Sequence, residues 1–439
     1  MNLHLPNRFF YTFGLIAFFF ALSFAASFLF VVAKVVLALA ILVFVADIVL
    51  LYHKKVAIDV LRKVPPVLSL GDENVVAIHL RSRAPRLLRI ELIDELPFQL
   101  QSRDFGLHLS LAPDEKRVLT YPIRPTSRGE YEFGDVHLYL TTFLGLAQRR
   151  ITTRAANSFP VFPSIMQMKK FELLAISKLS IFDGIKRQRR IGHSYEFEQI
   201  KTYVRGDDYR SINWKATGRR AELMVNQYED ERSQQIYCII DKSRTMKMPF
   251  YGLSLMDYAI NTSLVLTNIA LRKYDRAGLI TFSDRLGSAI KADRKANQLN
   301  LILNALYNEK ERNLEANFEL LFQATRNLIN GRSLILLYTN FESMYALERV
   351  LPLLRKINMQ HLLVVIFFKN TEIEAYAAQT PLDTEQVYQQ TIAQKFLLEK
   401  QQMVQKLRQY GIQTVLTAPE DLNINTINKY LELKARGLI

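Results

Sequence analysis

The sequence holds a single cysteine, Cys238, in 439 residues. One cysteine excludes an internal disulfide and any cysteine-rich metal site, and inside the apolar run 236–240 it reads as a small buried residue. Glycine is scarce, at 16 residues, and no phosphate-cradling glycine loop is present. The seven histidines (His4, His53, His79, His108, His137, His193 and His361) are scattered without metal-ligand spacing, and no Ser or Cys nucleophile motif accompanies them. Any ATP-dependent step would therefore fall to a partner. Acidic residues are also short: 42 Asp and Glu face 57 Lys and Arg, a formal charge of +15. Such a balance favours anionic surfaces, whether lipid headgroups, nucleic acid or acidic protein, and does not choose among them.

What is present begins with apolar residues. From Phe9 to Tyr52 only Lys34 and Asp47 carry charge. One helix of that length would run roughly 65 Å, about twice the hydrocarbon core of a bilayer, so the segment is expected to fold back as a transmembrane hairpin. Spans at 9–30 and 31–51 place Lys34 near the turn, where it can snorkel, and leave Asp47 as an interfacial carboxylate beside Lys54 and Lys55. Arg8 precedes the hairpin, while His53, Lys54, Lys55, Arg62 and Lys63 follow it. The positive-inside rule then puts the rest of the chain in the cytoplasm. A cleaved signal peptide, suggested by Arg8 and the small residues Ala25, Ala26 and Ser27, is the competing reading, and the second full-length apolar span argues against it.

Beyond residue 54 the pattern changes twice. Period-two alternation at 74–81, 87–94, 117–124, 130–139 and 147–153, punctuated by turn signals, predicts an antiparallel β-sandwich over 55–164. Residues 165–235 read as a linker and motif segment. From 236 to 439 apolar runs at 236–241, 277–282, 333–339, 361–368 and 412–417 alternate with helical periods at 255–272, 298–307, 318–329, 344–357 and 386–410. That rhythm predicts an α/β doubly wound, Rossmann-like domain with a parallel sheet covered on both faces.

Ligands in such sheets sit beyond the carboxyl ends of the strands. The first strand is followed by Asp241, Ser243 and Thr245 at alternate positions, a set of hard oxygen donors suited to Mg²⁺. The run resembles the metal-ion-dependent adhesion site of von Willebrand factor A (vWA) domains. The resemblance also wants an Asp after a central strand, where this chain has Asn340, so the implied metal site is degenerate. The same three residues also suit a hydrogen-bonded turn capping the next helix.

A longer signature lies upstream. Glu196, Phe197, Tyr203, Gly206, Asp207, Asp208, Arg210, Trp214 and Lys215 stand in an order that closely resembles the hallmark of bacterial domain-of-unknown-function family 58 (DUF58). Physically they suggest a rigid corner: Gly206 for a tight turn, Asp207 and Asp208 for backbone N–H groups or Arg210, and Trp214, the only Trp, for a packing core. The resemblance implies a membrane-anchored partner of MoxR-type AAA+ ATPases, chaperone-like and non-catalytic, at the bacterial inner membrane. The cluster Lys186, Arg187, Arg189 and Arg190 is expected to be a solvated linker or a contact for anionic lipid; it lacks the aromatics of a nucleic-acid patch. Neither a small-molecule substrate nor nucleic acid is expected. The alternatives are a membrane-tethered hydrolase using carboxylates near Asp207 and Asp241, and a scaffold whose metal site is dead.

Overall fold

A computed structural model describes residues 3–23, 27–53, 56–102, 105–171, 196–204, 207, 209–220, 222–229, 233–381 and 383–438. They fall into two compact units, Met1–Ser164 and Ile165–Ile439.

The first unit opens with helices α1 (Asn7–Leu22) and α2 (Ser27–Leu51). Phe9 and Phe13 both pack on Phe44, while Phe20 meets Phe30, so the two helices lie side by side in opposite directions. Of the described helices, only the one at Phe28–Leu51 is long and apolar enough to cross a membrane; α1 is apolar but has 16 residues, about 24 Å at 1.5 Å each. The break between helices falls earlier than the expected position after residue 30. Ser23 ends α1, donating its hydroxyl to Phe20 O at 2.6 Å, which leaves Lys34 two turns into α2 instead of at the turn.

Antiparallel sheets make up the rest of this unit. Asn74–Ser82 pairs with Ile58–Lys63 and Lys116–Ile123, and Leu88–Asp94 pairs with Gly106–Leu111 and Val136–Thr141, which pairs in turn with Gln148–Thr153. Strict alternation drives the burial: Val76, Ile78 and Leu80 point inward from one strand, Leu88, Ile90 and Leu92 from another. The expected strand 130–139 is two strands, Gly129–Phe133 and Val136–Thr141, because the chain switches sheets at Gly134 and Asp135.

Asp47, expected at the membrane interface, and Arg62, counted among the charges that follow the hairpin, are instead buried in this unit. Asp47 is fully buried and accepts the Thr142 hydroxyl on Oδ1 and the Leu146 and Ala147 amides on Oδ2, each at 2.8 Å. The end of α2 is thereby held to the loop between two strands, and Arg149 adds a bond to the Leu51 carbonyl at 3.0 Å. Arg62 is buried beside Asp94 at 2.5 Å, with Tyr121 on the other carboxylate oxygen, so it is a structural ion pair and not a topogenic charge. Lys54 and Lys55 lie outside the described residues.

Asp47→Ala strips an acceptor from three buried donors and should destabilise the unit by about 3 kcal/mol, whereas Asp47→Asn can keep the amides on its oxygen and turn its NH₂ to the Thr142 hydroxyl. Thermal unfolding in detergent should place the Asn variant near wild type and the Ala variant well below it. Equal losses would show that the negative charge matters and not the hydrogen-bond set.

The second unit carries a six-stranded sheet of β1 (Gln235–Asp241), β2 (Arg276–Phe282), β3 (Leu286–Asp293), β4 (Leu334–Tyr338), β5 (Leu362–Phe368) and β6 (Gln413–Thr417), in the order β3-β2-β1-β4-β5-β6. All neighbours are parallel except β2 and β3. The antiparallel edge strand β3 was not anticipated: its residues are mostly exposed or half-exposed, so it lacks an apolar run. Ile236, Cys238 and Ile240 face α3 (Leu255–Arg272), α4 (Gln298–Asn308) and α8 (Leu422–Ala435). Tyr237 and Ile239 face α5 (Phe318–Leu328), α6 (Met344–Gln360) and α7 (Thr384–Gln409). The start of α3 is set by a capping box between Ser254 and Asp257.

Candidate functional site at the centre of the sheet

The order reverses at β1, which lies between β2 and β4; in a sheet of this order that is where the crossover helices part to opposite faces and open a crevice. Two of the expected site segments meet there. Asp241 ends β1, and Thr339 and Asn340 follow β4. The Asp241 carboxylate is 1% exposed and accepts the Ser243 amide at 2.8 Å and the Thr339 hydroxyl at 2.7 Å. Ser243 Oγ and Thr245 Oγ1 are 3.1 Å apart, and the Asn340 side-chain NH₂ reaches the Thr245 carbonyl at 3.5 Å. The four expected donors are therefore one cluster, and the first strand's loop is tied to the fourth strand's end.

The oxygens of that cluster are already engaged. Lys400, from α7, donates to Asn340 Oδ1 at 2.8 Å and to the Phe341 carbonyl at 2.6 Å. Burial draws the Lys400 pKa down to about 8, with Glu342 and Glu399 opposing. Burial likewise pushes the Asp241 carboxyl above its ordinary range, and the donors from Ser243 and Thr339 only partly offset it. A divalent ion needs several anionic or free hard oxygens. Here only one carboxylate is present, the neutral amide oxygen holds an ammonium, and no group of three His, Cys, Asp or Glu fit for a metal occurs among the described residues. The donor set does not fit Mg²⁺.

A second polar group supports the same loop. Lys242 and Glu309 form a buried ion pair at 2.6 Å, and Glu309 also accepts the Thr281 hydroxyl at 2.6 Å and the Ser288 amide at 3.1 Å. Burial would raise the Glu309 pKa, but these donors outweigh it and hold it below the ordinary value. Gly287 is required beside the pair, since a Cβ there would lie 2.3 Å from Thr281 Oγ1 and 2.5 Å from Lys242 Nζ. On the rim the exposed Arg244 reaches Glu342 at 3.1 Å and Glu315 at 3.6 Å. Lys400, Thr339, Lys242 and Glu309 had no local sequence signal; each gains its role only when distant elements meet.

The hallmark residues form a separate substructure. Glu196–Thr202 pairs with Met224–Glu229 as a two-stranded ribbon that includes Glu196 and Phe197. Asp207 accepts Lys201 Nζ at 2.8 Å and the Val204 amide at 3.0 Å, and the Lys201 bond leads in holding its pKa low. Its partner is thus Lys201, while Arg210 lies over the Tyr209 ring at 5.7 Å. Tyr203 donates its amide to Leu223 O at 2.7 Å. Trp214, expected in a core, is 72% exposed: Asn213 caps the short helix Trp214–Arg220, none of whose residues is buried, and Lys215 is exposed with it. Gly206, Asp208 and the cluster Lys186, Arg187, Arg189 and Arg190 lie outside the described residues. Among the described residues no hydrogen bond joins Asp207 to Asp241.

The family match falls in this unit. Residues 199–375 match the family described as "Protein of unknown function DUF58", which takes in Asp207, Trp214, Asp241 and Asn340. The "Uncharacterized protein YeaD" of Bacillus subtilis (strain 168) is 26% identical over 183 residues, 40% of this chain and 45% of YeaD, so the chain spans less than half of that relative. Among solved structures, the CARDB domain of PF1109 from Pyrococcus furiosus aligns with 25% of this chain and 90% of its own at 15% identity and a TM-score of 0.19. Proximal thread matrix protein 1 from the mussel byssus aligns over 46% of each chain at 11% identity and a TM-score of 0.27. At such scores neither bears on the fold.

Asp241→Asn retains an acceptor for Ser243 and gains a donor for Thr339. Because the native carboxyl titrates above its unfolded value, its ionisation lowers stability as pH rises through that raised value. The Asn variant should therefore be more stable than wild type at neutral pH, and the gain should vanish in acid below the ordinary Asp range. Chemical denaturation at both pH values checks this; a variant less stable at neutral pH would mean that the buried charge is compensated.

Proposed function

We propose that this protein is a non-catalytic, membrane-anchored adaptor, a chaperone-like partner of a MoxR-type AAA+ ATPase, which binds proteins through a vWA-like domain with a degenerate metal site. The observation that carries this reading is the Asp241, Ser243, Thr245 and Asn340 cluster at the sheet's switch point, with Lys400 seated on the Asn340 oxygen. The arrangement keeps a ligand-binding location in the sheet yet binds its own donors internally, which suits a rigid docking face better than a reaction centre. Lys400 supplies a positive charge on the Asn340 oxygen, and Arg244 offers an exposed charged rim. Hydrolysis belongs to the ATPase, and this chain presents the surface.

The membrane part of the proposal is a two-helix anchor in the bacterial cytoplasmic membrane with the remaining units in the cytoplasm. It is supported by the apolar length of α2 and by where the helix pair begins and ends: Leu3–His4, just before α1, pairs with Gln148–Arg149, and Arg149 also caps the end of α2. Both open ends of the helix pair thus attach to the same β unit.

The test is affinity purification of the detergent-solubilised protein with and without Mg²⁺, comparing wild type, Asp241→Ala and Arg244→Glu. Co-purification of an AAA+ ATPase that survives removal of Mg²⁺ and falls at least several-fold with Arg244→Glu is expected. Retention that strictly requires Mg²⁺ would overturn the role given to Lys400, and absence of any ATPase from the wild-type eluate would overturn the adaptor reading.

A further inference from the structure

The hallmark ribbon ends in a corner whose surface does not match a buried role. The Tyr203 amide bonds Leu223 O at 2.7 Å and the Asn213 amide bonds Met224 O at 2.8 Å, so the segments at 203–204, 213–214 and 223–224 converge. At that convergence Trp214 is 72%, Val204 63% and Leu223 45% exposed, and Tyr209, in the short turn Tyr209–Ser211 that precedes the helix, is 69% exposed. The helix that starts with Trp214 adds Lys215, Arg219 and Arg220, all exposed and without an ion-pair partner among the described residues. Large aromatic rings left in water beside unpaired cations are an unstable surface for a protein that remains in solution. They are the combination found at a membrane interface, where the amphipathic rings of Trp and Tyr settle at headgroup depth and basic side chains meet anionic lipid.

We propose that this corner is a peripheral contact for an anionic lipid surface, with Trp214 and Tyr209 seated at the headgroup level and Lys215, Arg219 and Arg220 against the phosphates. The proposal rests on the membrane anchoring argued above, which would bring a bilayer to the same chain. Charge selects this occupant: three clustered cations face a ligand of opposite sign, and the apolar rings favour a partially dry interface over a soluble acidic peptide. Two of these residues, Trp214 and Lys215, belong to the family hallmark.

Trp214 is the chain's one tryptophan, so its fluorescence reports this corner alone. Full-length protein is reconstituted into liposomes of phosphatidylcholine, with or without phosphatidylserine, and into matched liposomes with brominated acyl chains. In neutral liposomes the emission should be that of a water-exposed indole. With phosphatidylserine it should shift to the blue and be quenched by the brominated lipid, and high salt should reverse both changes. A Lys215→Gln/Arg219→Gln/Arg220→Gln variant should lose the shift while still co-floating with the liposomes. Identical emission in neutral and anionic liposomes, or a blue shift that appears only when a partner protein is added, would overturn the proposal. Wild-type protein that fails to co-float at all would remove the anchoring reading first, and this one with it.

Discussion

The second unit depends on one constraint: β1 is hydrogen-bonded on both edges and covered on both faces, so five consecutive residues from Ile236 to Ile240 must be buried, and the one polar group among their side chains that makes a hydrogen bond, the Tyr237 hydroxyl, accepts the Ala292 amide. The first charged residue of the strand is the one at its carboxyl end. That residue is Asp241, and the sheet order places it where the strands reverse direction of succession. A carboxylate there cannot remain without donors. The Ser243 amide and Thr339 hydroxyl meet that need, and in doing so they lock the loop after β1 to the end of β4. The position of the candidate site is thus a consequence of strand burial, and its rigidity a consequence of the cost of an isolated buried charge.

How much of this could be read in advance follows the same division. Continuous apolar runs mark β1, β2, β4, β5 and β6, and the helical period at 255–272 coincides with α3, whose start the structure fixes by the Ser254–Asp257 capping box. The edge strand β3 carries no such run, and the helix Leu422–Ala435 has an apolar stripe interrupted by Asn and Lys, so both passed unnoticed. In the β unit, alternation located the central strands, whereas the short edge Ile58–Lys63 was hidden by its charges. Of the site, Asp241, Ser243, Thr245 and Asn340 were evident because alternate oxygens after a strand have a local pattern. Lys400 lies 60 residues from Asn340 and Glu309 lies 67 from Lys242, and nothing local marks either pairing. The size of its side chain makes Trp214 read as core, yet the residue sits at the start of a seven-residue helix with no buried face.

The same logic bears on charge. Arg62 is consumed by Asp94, Lys242 by Glu309, and Lys400 by Asn340 and the Phe341 carbonyl, so each of these cations works inside a unit and projects little field outward. The Arg62–Asp94 and Lys242–Glu309 pairs each cancel within the net charge of +15 and leave it unchanged, and a positive-inside argument that counts Arg62 counts a residue the fold has withdrawn from the surface. What matters for association is which cations the fold leaves unpaired and what stands beside them. At the centre of the sheet the cation is fixed and nearly enclosed, which favours a shaped, specific contact. On the hallmark corner Lys215, Arg219 and Arg220 have no ion-pair partner among the described residues and share the corner with exposed aromatic rings, which favours a broad and weakly specific one. Under the proposed function, a lipid contact and a protein contact on separate substructures form without displacing one another.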